Sequence, residues 1–229
     1  LIEVAPGCMP RDRERILNWA QENVGEIRHE KNLAWHALRR VLNKHKLYPD
    51  ANWALRGKEL CPLEQLYNQL QPNDVQARYM YLFNEDIYYE VLEPSSTLSY
   101  RELSHDSIAG LMATARERAV AELVKELTLD RVLELRLEVK YPWYLGEALA
   151  KVIKDEQDLQ YVWQCLEDDA PHIAFAHGFI SQKLRCEGFS WMQTLVKELL
   201  EKGYSDKAEA NALFPVRLGQ ELWRYVGSL

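Results

Sequence analysis

Tyr141-Pro142-Trp143-Tyr144-Leu145-Gly146-Glu147-Ala148-Leu149-Ala150-Lys151-Val152-Ile153 is the stretch that decides the fold class. Proline suits the first turn of a helix, whose amide has no intrahelical acceptor to lose, and Leu145, Leu149 and Val152 then recur at helical spacing. The same pattern returns as Phe214-Pro215-x-x-Leu218-Gly219-x-x-Leu222-x-x-Tyr225-Val226. A looser copy places Gly178 and Leu184 where the first has Gly146 and Val152. Internal similarity of this kind points to stacked helical pairs, each burying its apolar stripe on its neighbours. No glycine-rich loop surrounds Gly146, Gly178 or Gly219, so close helix approach explains them better than phosphate binding.

Working outward, the rest of the chain also reads as helix. Ile16, Leu17, Ala20 and Val24 follow Pro10 at helical spacing, and Leu33, Ala37, Leu38, Val41 and Leu42 form a stripe between Lys31 and His45. Pro62 opens a helix through Leu63, Leu66, Tyr67 and Leu70, and the Asp74 carboxylate is placed to cap a short one through Val75, Tyr79 and Phe83. The longest helix is expected from Ser104 to Leu127, and Pro142 opens the next, to Ile153. Further helices are expected from Asp155 to Leu166, Pro171 to Cys186, Ser190 to Lys202, Ser205 to Leu213 and Pro215 to Val226, with Gly203 ending the one before it in a left-handed conformation. Pro94-Ser95-Ser96-Thr97 is the best linker. The expected architecture is therefore all-α, with helical hairpins stacked as an irregular HEAT-like α-solenoid, divided into sub-domains 1–94 and 95–229.

With 229 residues, 47% of them hydrophobic and 28% charged, the chain has the balance of a folded globular protein. A formal net charge of -7 disfavours nucleic acid as a partner, because phosphate contacts draw on clustered Lys and Arg. The basic stretches Arg11 to Arg15 and Arg39 to Lys46 read as solvated helix faces. Cys8, Cys61, Cys165 and Cys186 are scattered, without a Cys-x-x-Cys pair, which fits a reducing cytoplasm. No apolar run approaches the roughly 20 residues that span a bilayer, and the first residues lack a signal-peptide core. No membrane partner is expected. Leu1, in place of an initiator Met, points to a fragment of a longer protein.

Catalytic chemistry finds little to work with. Asp130 with Glu138-Val139-Lys140 resembles the carboxylate and Glu-x-Lys core of metal-dependent nucleases, in which two carboxylates hold a divalent ion beside a lysine. Leu133 to Lys140 even alternates as a half-buried strand would, yet its Leu, Glu and Arg favour helix and no companion strands flank it. His172 and His177 are five apart and diverge on a helix, making a poor metal pair. His36, between Trp35 and Ala37, reads as a satisfied helix histidine. No nucleophile elbow, phosphate loop or dinucleotide fingerprint occurs, and no cofactor is expected. The dense aromatic set Tyr79, Tyr81, Phe83, Tyr88 and Tyr89 adjoins the expected linker. Rigid aromatic side chains with polar tips anchor interfaces, so Tyr79, Tyr81, Tyr88 and Tyr89 are the candidate contact residues; packing of the joint between the halves is the alternative role.

A family resemblance rests on Ala34-Trp35-His36-Ala37-Leu38, Asp50-Ala51-x-Trp53-Ala54-Leu55, Leu63-x-x-Leu66-Tyr67-x-x-Leu70-x-Pro72-x-Asp74 and Arg78-Tyr79-x-Tyr81-Leu82-Phe83. Phe175-Ala176-His177-Gly178-Phe179 and Phe214-Pro215 to Leu222-Trp223 continue it. Together they resemble the helical-repeat region of large multidomain bacterial proteins of the anti-phage defence type. In those, an effector and often an NTPase precede a long helical region that senses or scaffolds. The resemblance implies a non-enzymatic segment whose partner is another protein or another domain of its parent. The alternative expectation is part of a hydrolytic or nucleic-acid-processing enzyme.

Overall fold

The computed structural model describes residues 30–85, 104–153 and 156–215, with the isolated positions 18, 94 and 227. These residues form helices and turns with no strand among them, which makes the protein all-α over its described length. The chain separates into two compact units, Leu1–Ala115 and Arg116–Leu229. Around the boundary expected at 94/95, only Pro94 is described. The helices expected at Pro10–Val24 and Pro215–Val226 lie outside the described residues, apart from Asn18 and Pro215.

In the first unit, α1 (Lys31–Leu47), α2 (Cys61–Gln69), α3 (Val75–Tyr79) and α4 (Tyr81–Asn84) follow one another. Lys44 and Lys46 occupy the last turn of α1, where cations meet the negative end of the helix dipole. The Asp74 carboxylate caps α3 as expected, accepting from the amides of Gln76 at 3.1 Å and Ala77 at 3.3 Å. The buried face of α1 differs from the expected stripe. Leu33 is 70% exposed, while Trp35, Leu38, Arg39 and Leu42 are buried. Arg39 therefore does not belong to a solvated face. Its guanidinium lies 3.6 Å above the Tyr81 ring and pairs with Glu85 at 2.7 Å, and that pairing is what makes burial of the charge tolerable.

Helix α5 (His105–Glu126) matches the long helix expected there. Val120 and Leu123 are fully buried, and the Arg116 guanidinium stacks 3.6 Å over the Tyr144 ring. Thr128 caps α6 (Leu129–Glu134), and a tight turn at Leu135–Leu137 leads to α7 (Pro142–Val152). Then come α8 (Glu156–Gln164), α9 (His172–Glu187), α10 (Phe189–Glu201) and α11 (Asp206–Leu213). Helix α9 sits centrally in this second unit, touching α7, α8, α10 and α11.

The glycines of the repeated pattern explain the closest of these contacts. A Cβ on Gly146 would overlap the Phe175 carbonyl oxygen and stand 2.9 Å from the Phe179 amide nitrogen; one on Gly178 would overlap the Trp143 carbonyl. The α7 and α9 backbones touch where side chains would otherwise hold them apart. Gly203 ends α10 with φ +75°, its amide donating to Leu200 and that of Tyr204 to Leu199, the paired bonds of a left-handed cap. The helix expected from Ser190 starts at Phe189: Gly188, at φ +80°, makes the turn out of α9, and Ser190 lies inside α10.

The segment after α8 is fastened to the start of α11. The Glu167 carboxylate accepts from the Ser205 amide at 2.8 Å and from the Ser205 hydroxyl. Those two bonds hold its acid below the usual carboxylate range. Lys207 reaches the Glu167 carbonyl at 3.0 Å and Asp169 at 3.1 Å, and Asn211 donates to the Leu166 carbonyl at 2.8 Å.

Candidate functional site

The first unit contains a cleft of about 340 Å³. Its walls begin with the amphipathic α1, whose buried Trp35 stacks on Tyr67 of α2, rings 5.0 Å apart and inclined by 14°. Tyr79 and Tyr81, from the end of α3 and the start of α4, add two further aromatic walls, and Leu42 and Pro94 also line the space. Offset ring contacts of this kind hold aromatic faces in fixed positions.

The polar lining comes from Lys46, Glu64, Asn68, Gln71 and Arg78. Lys46 and Glu64 pair at 2.7 Å between α1 and α2. Arg78 donates from Nε to the Pro72 carbonyl at 3.3 Å and from Nη2 to the Asn73 carbonyl at 3.4 Å. Those carbonyls orient the guanidinium without cancelling its charge. Trp35 is 3% exposed, and among the described residues its indole Nε1–H has no hydrogen-bond partner. Leaving such a donor unmade costs about 1–3 kcal/mol.

Among the contact residues expected from the sequence, Tyr79 is half-buried and Tyr81 is 7% exposed, and both line the cleft. Tyr88 and Tyr89 lie outside the described residues. Sequence reasoning missed the contributions of Trp35 and Tyr67, which are separated by a long turn region. The signal was present in the aromatic positions of two amphipathic helices, but nothing in either helix alone says that the rings meet.

The residues considered for catalysis are not brought together. Leu133 to Lys140 forms the end of α6 and a helical turn rather than a strand. Arg131 holds Glu138 at 2.6 Å and Glu134 at 3.2 Å. His172 accepts at Nδ1 from Arg136 Nε at 3.1 Å and lies 3.4 Å from Asp168. His177 is buried elsewhere on α9, stacked on Phe214 with ring centroids 4.8 Å apart. His36 is satisfied in part: it hydrogen-bonds the Ala77 backbone and meets the Trp35 and Tyr81 rings at centroid distances of 5.0 and 5.4 Å, while among the described residues its buried Nδ1 has no partner. Cys61 and Cys186 are exposed thiols, whereas burial pushes the Cys165 thiol up from its usual range. Among the described residues, no group of three His, Cys, Asp or Glu side chains could hold a metal ion, and no helix is long and apolar enough to cross a membrane.

What the described residues define is an all-α protein with an aromatic, cation-bearing cleft. Compared with known proteins, the chain matches no protein-family model, no curated protein and no solved structure.

Proposed function

We propose that this chain is a non-enzymatic, protein-binding or scaffolding segment of a larger bacterial protein, in which helical hairpins stack as an irregular HEAT-like solenoid. The observation that carries the reading is the cleft. It presents rigid aromatic side chains beside oriented cations, the residue types that anchor protein interfaces. Helical repeats suit this work because they offer extended side-chain surfaces without an enclosed cavity. The solenoid reading draws support from the second unit, where alternate helices α7, α9 and α11 touch in succession, as the rows of a stacked array do. The resemblance to anti-phage defence proteins supplies the cellular setting of the proposal.

The test is affinity capture of the full-length parent from infected and uninfected cells, with and without this region. Specific recovery of a protein that depends on the region supports the reading; identical recoveries from the intact and deleted forms defeat it.

A further inference from the structure

We propose that Nδ1 of His172 is a proton-operated latch. Bare, it accepts from Arg136 and ties the Leu135–Leu137 turn to the first residue of α9; protonated, it donates to Asp168 and lets the turn go.

Two partners of opposite character converge on that one nitrogen. Arg136 Nε stands 3.1 Å from it and Asp168 Oδ2 stands 3.4 Å from it. A guanidinium only donates, so the contact with Arg136 requires a lone pair on Nδ1 and puts the neutral ring's proton on Nε2. An ionised carboxylate only accepts, so the approach of Asp168 becomes a hydrogen bond only when Nδ1 carries a proton. One nitrogen cannot serve both at once. Protonation therefore exchanges the partners, and the imidazolium repels the guanidinium it had held. The exchange also changes what is tied. The Arg136 contact joins residues 36 positions apart, whereas Asp168 precedes His172 by only four positions.

The neighbouring charged groups are engaged elsewhere. Burial pushes the Cys165 thiol up, so it stays uncharged, and its Sγ donates to the Tyr161 carbonyl at 3.3 Å. Glu167 is taken by Ser205, and Asp169 by Lys207 of α11. On the side of the turn, Arg131 holds Glu134 and Glu138. The next titratable side chain of α9, His177, stacks on Phe214. Arg136 also donates from Nη1 to the Leu133 carbonyl, a bond that does not involve the ring. The His172 side chain is 26% exposed, so solvent supplies and removes the proton.

The test uses the full chain labelled with 15N, over the pH range in which its methyl and indole signals stay native. Long-range 1H–15N correlation spectra report which ring nitrogen carries a proton. His172 is assigned by loss of its signals in His172→Gln, and the Arg136 Nε signal by its loss in Arg136→Lys. At the high-pH end His172 is expected as the Nε2–H tautomer. On acidification the Arg136 Nε–H signal is expected to move with the same midpoint as the His172 ring. Asp168→Asn is expected to keep the high-pH tautomer but to let the low-pH Nδ1–H exchange with water about fivefold faster or more, the loss of one hydrogen bond. In urea titrations, a double-mutant cycle of Arg136→Ala and His172→Ala is expected to show a coupling of about fivefold in the unfolding constant above the ring's titration and none below it. A proton on Nδ1 at high pH, a ring that stays neutral throughout the native range, or an Arg136 signal indifferent to the ring's titration overturns the latch. So does unchanged exchange in Asp168→Asn, or equal coupling at both ends of the range. If the alanine variants fail to fold, the spectra of the unsubstituted chain and of Asp168→Asn decide alone.

Discussion

Gly146 and Gly178 lie at one helix crossing, each with the partner helix's backbone in the space a Cβ would occupy. A methyl group at either position must push α7 and α9 apart. Alanine normally improves a helix by about 0.5–1 kcal/mol over glycine, but overpacking a rigid contact costs about 1–3 kcal/mol. The second effect wins because the obstacle is backbone rather than a movable side chain. Gly146→Ala and Gly178→Ala are each expected to lower the thermal midpoint. Gly110→Ala, also within a helix but with nothing within 4 Å of its Cβ position, is expected to raise it. Differential scanning calorimetry of the three variants checks the opposite signs.

Asp74→Ala removes an acceptor shared by two free amides at the start of α3. A loss of about 1 kcal/mol is expected from denaturant titration, with Asp74→Asn retaining most of it.

Tyr79 and Tyr81 are adjacent on the cleft but differ in what they support. Tyr81 is buried beneath the Arg39 guanidinium, so Tyr81→Ala is expected to cost about 3–5 kcal/mol, as truncation of a core aromatic does. Tyr79→Ala, at a half-buried position, is expected to keep the thermal transition while weakening capture of the partner. Equal stabilities for the two variants in urea titration would contradict the assignment of Tyr81 to packing.

Stability is expected to fall on mild acidification. His36 and His177 are both held below the ordinary value near 6.5, each chiefly by burial, so the folded state resists protonation that the unfolded chain accepts. Their contribution is complete above about pH 6.5 and is lost as the pH drops from there toward the folded values. The thermal midpoint is expected to be lower at about pH 5.5 than at about pH 7.5, and His177→Gln to reduce that difference.

Much of the helical skeleton was legible because its signals are local. Pro142 at a first turn, the Asp74 carboxylate two and three residues before the amides it caps, and Gly203 beyond a last turn act within a few residues of themselves. That Gly146 and Gly178 mark close helix approaches was legible too, but not that their two helices meet each other, which depends on packing between positions distant in the chain. Arg39 was misplaced for that same reason. Its burial depends on Glu85, 46 positions away, and on the Tyr81 ring, neither of which α1 encodes. The cleft shares that character: Tyr79 and Tyr81 were visible as an aromatic cluster, but their juxtaposition with Trp35 and Tyr67 is a product of packing.

Ser205, Lys207 and Asn211 donate to Glu167, Asp169 and Leu166 across about 40 positions of chain, so the two stretches are expected to open as one cooperative unit. Breaking the Glu167 contacts exposes the first turn of α11 and frees the segment after α8 in the same event. In hydrogen–deuterium exchange, the Ser205 and Ala208 amides should therefore gain deuterium in step with each other, and Glu167→Ala should accelerate both while leaving the Gly146–Gly178 crossing slow to exchange.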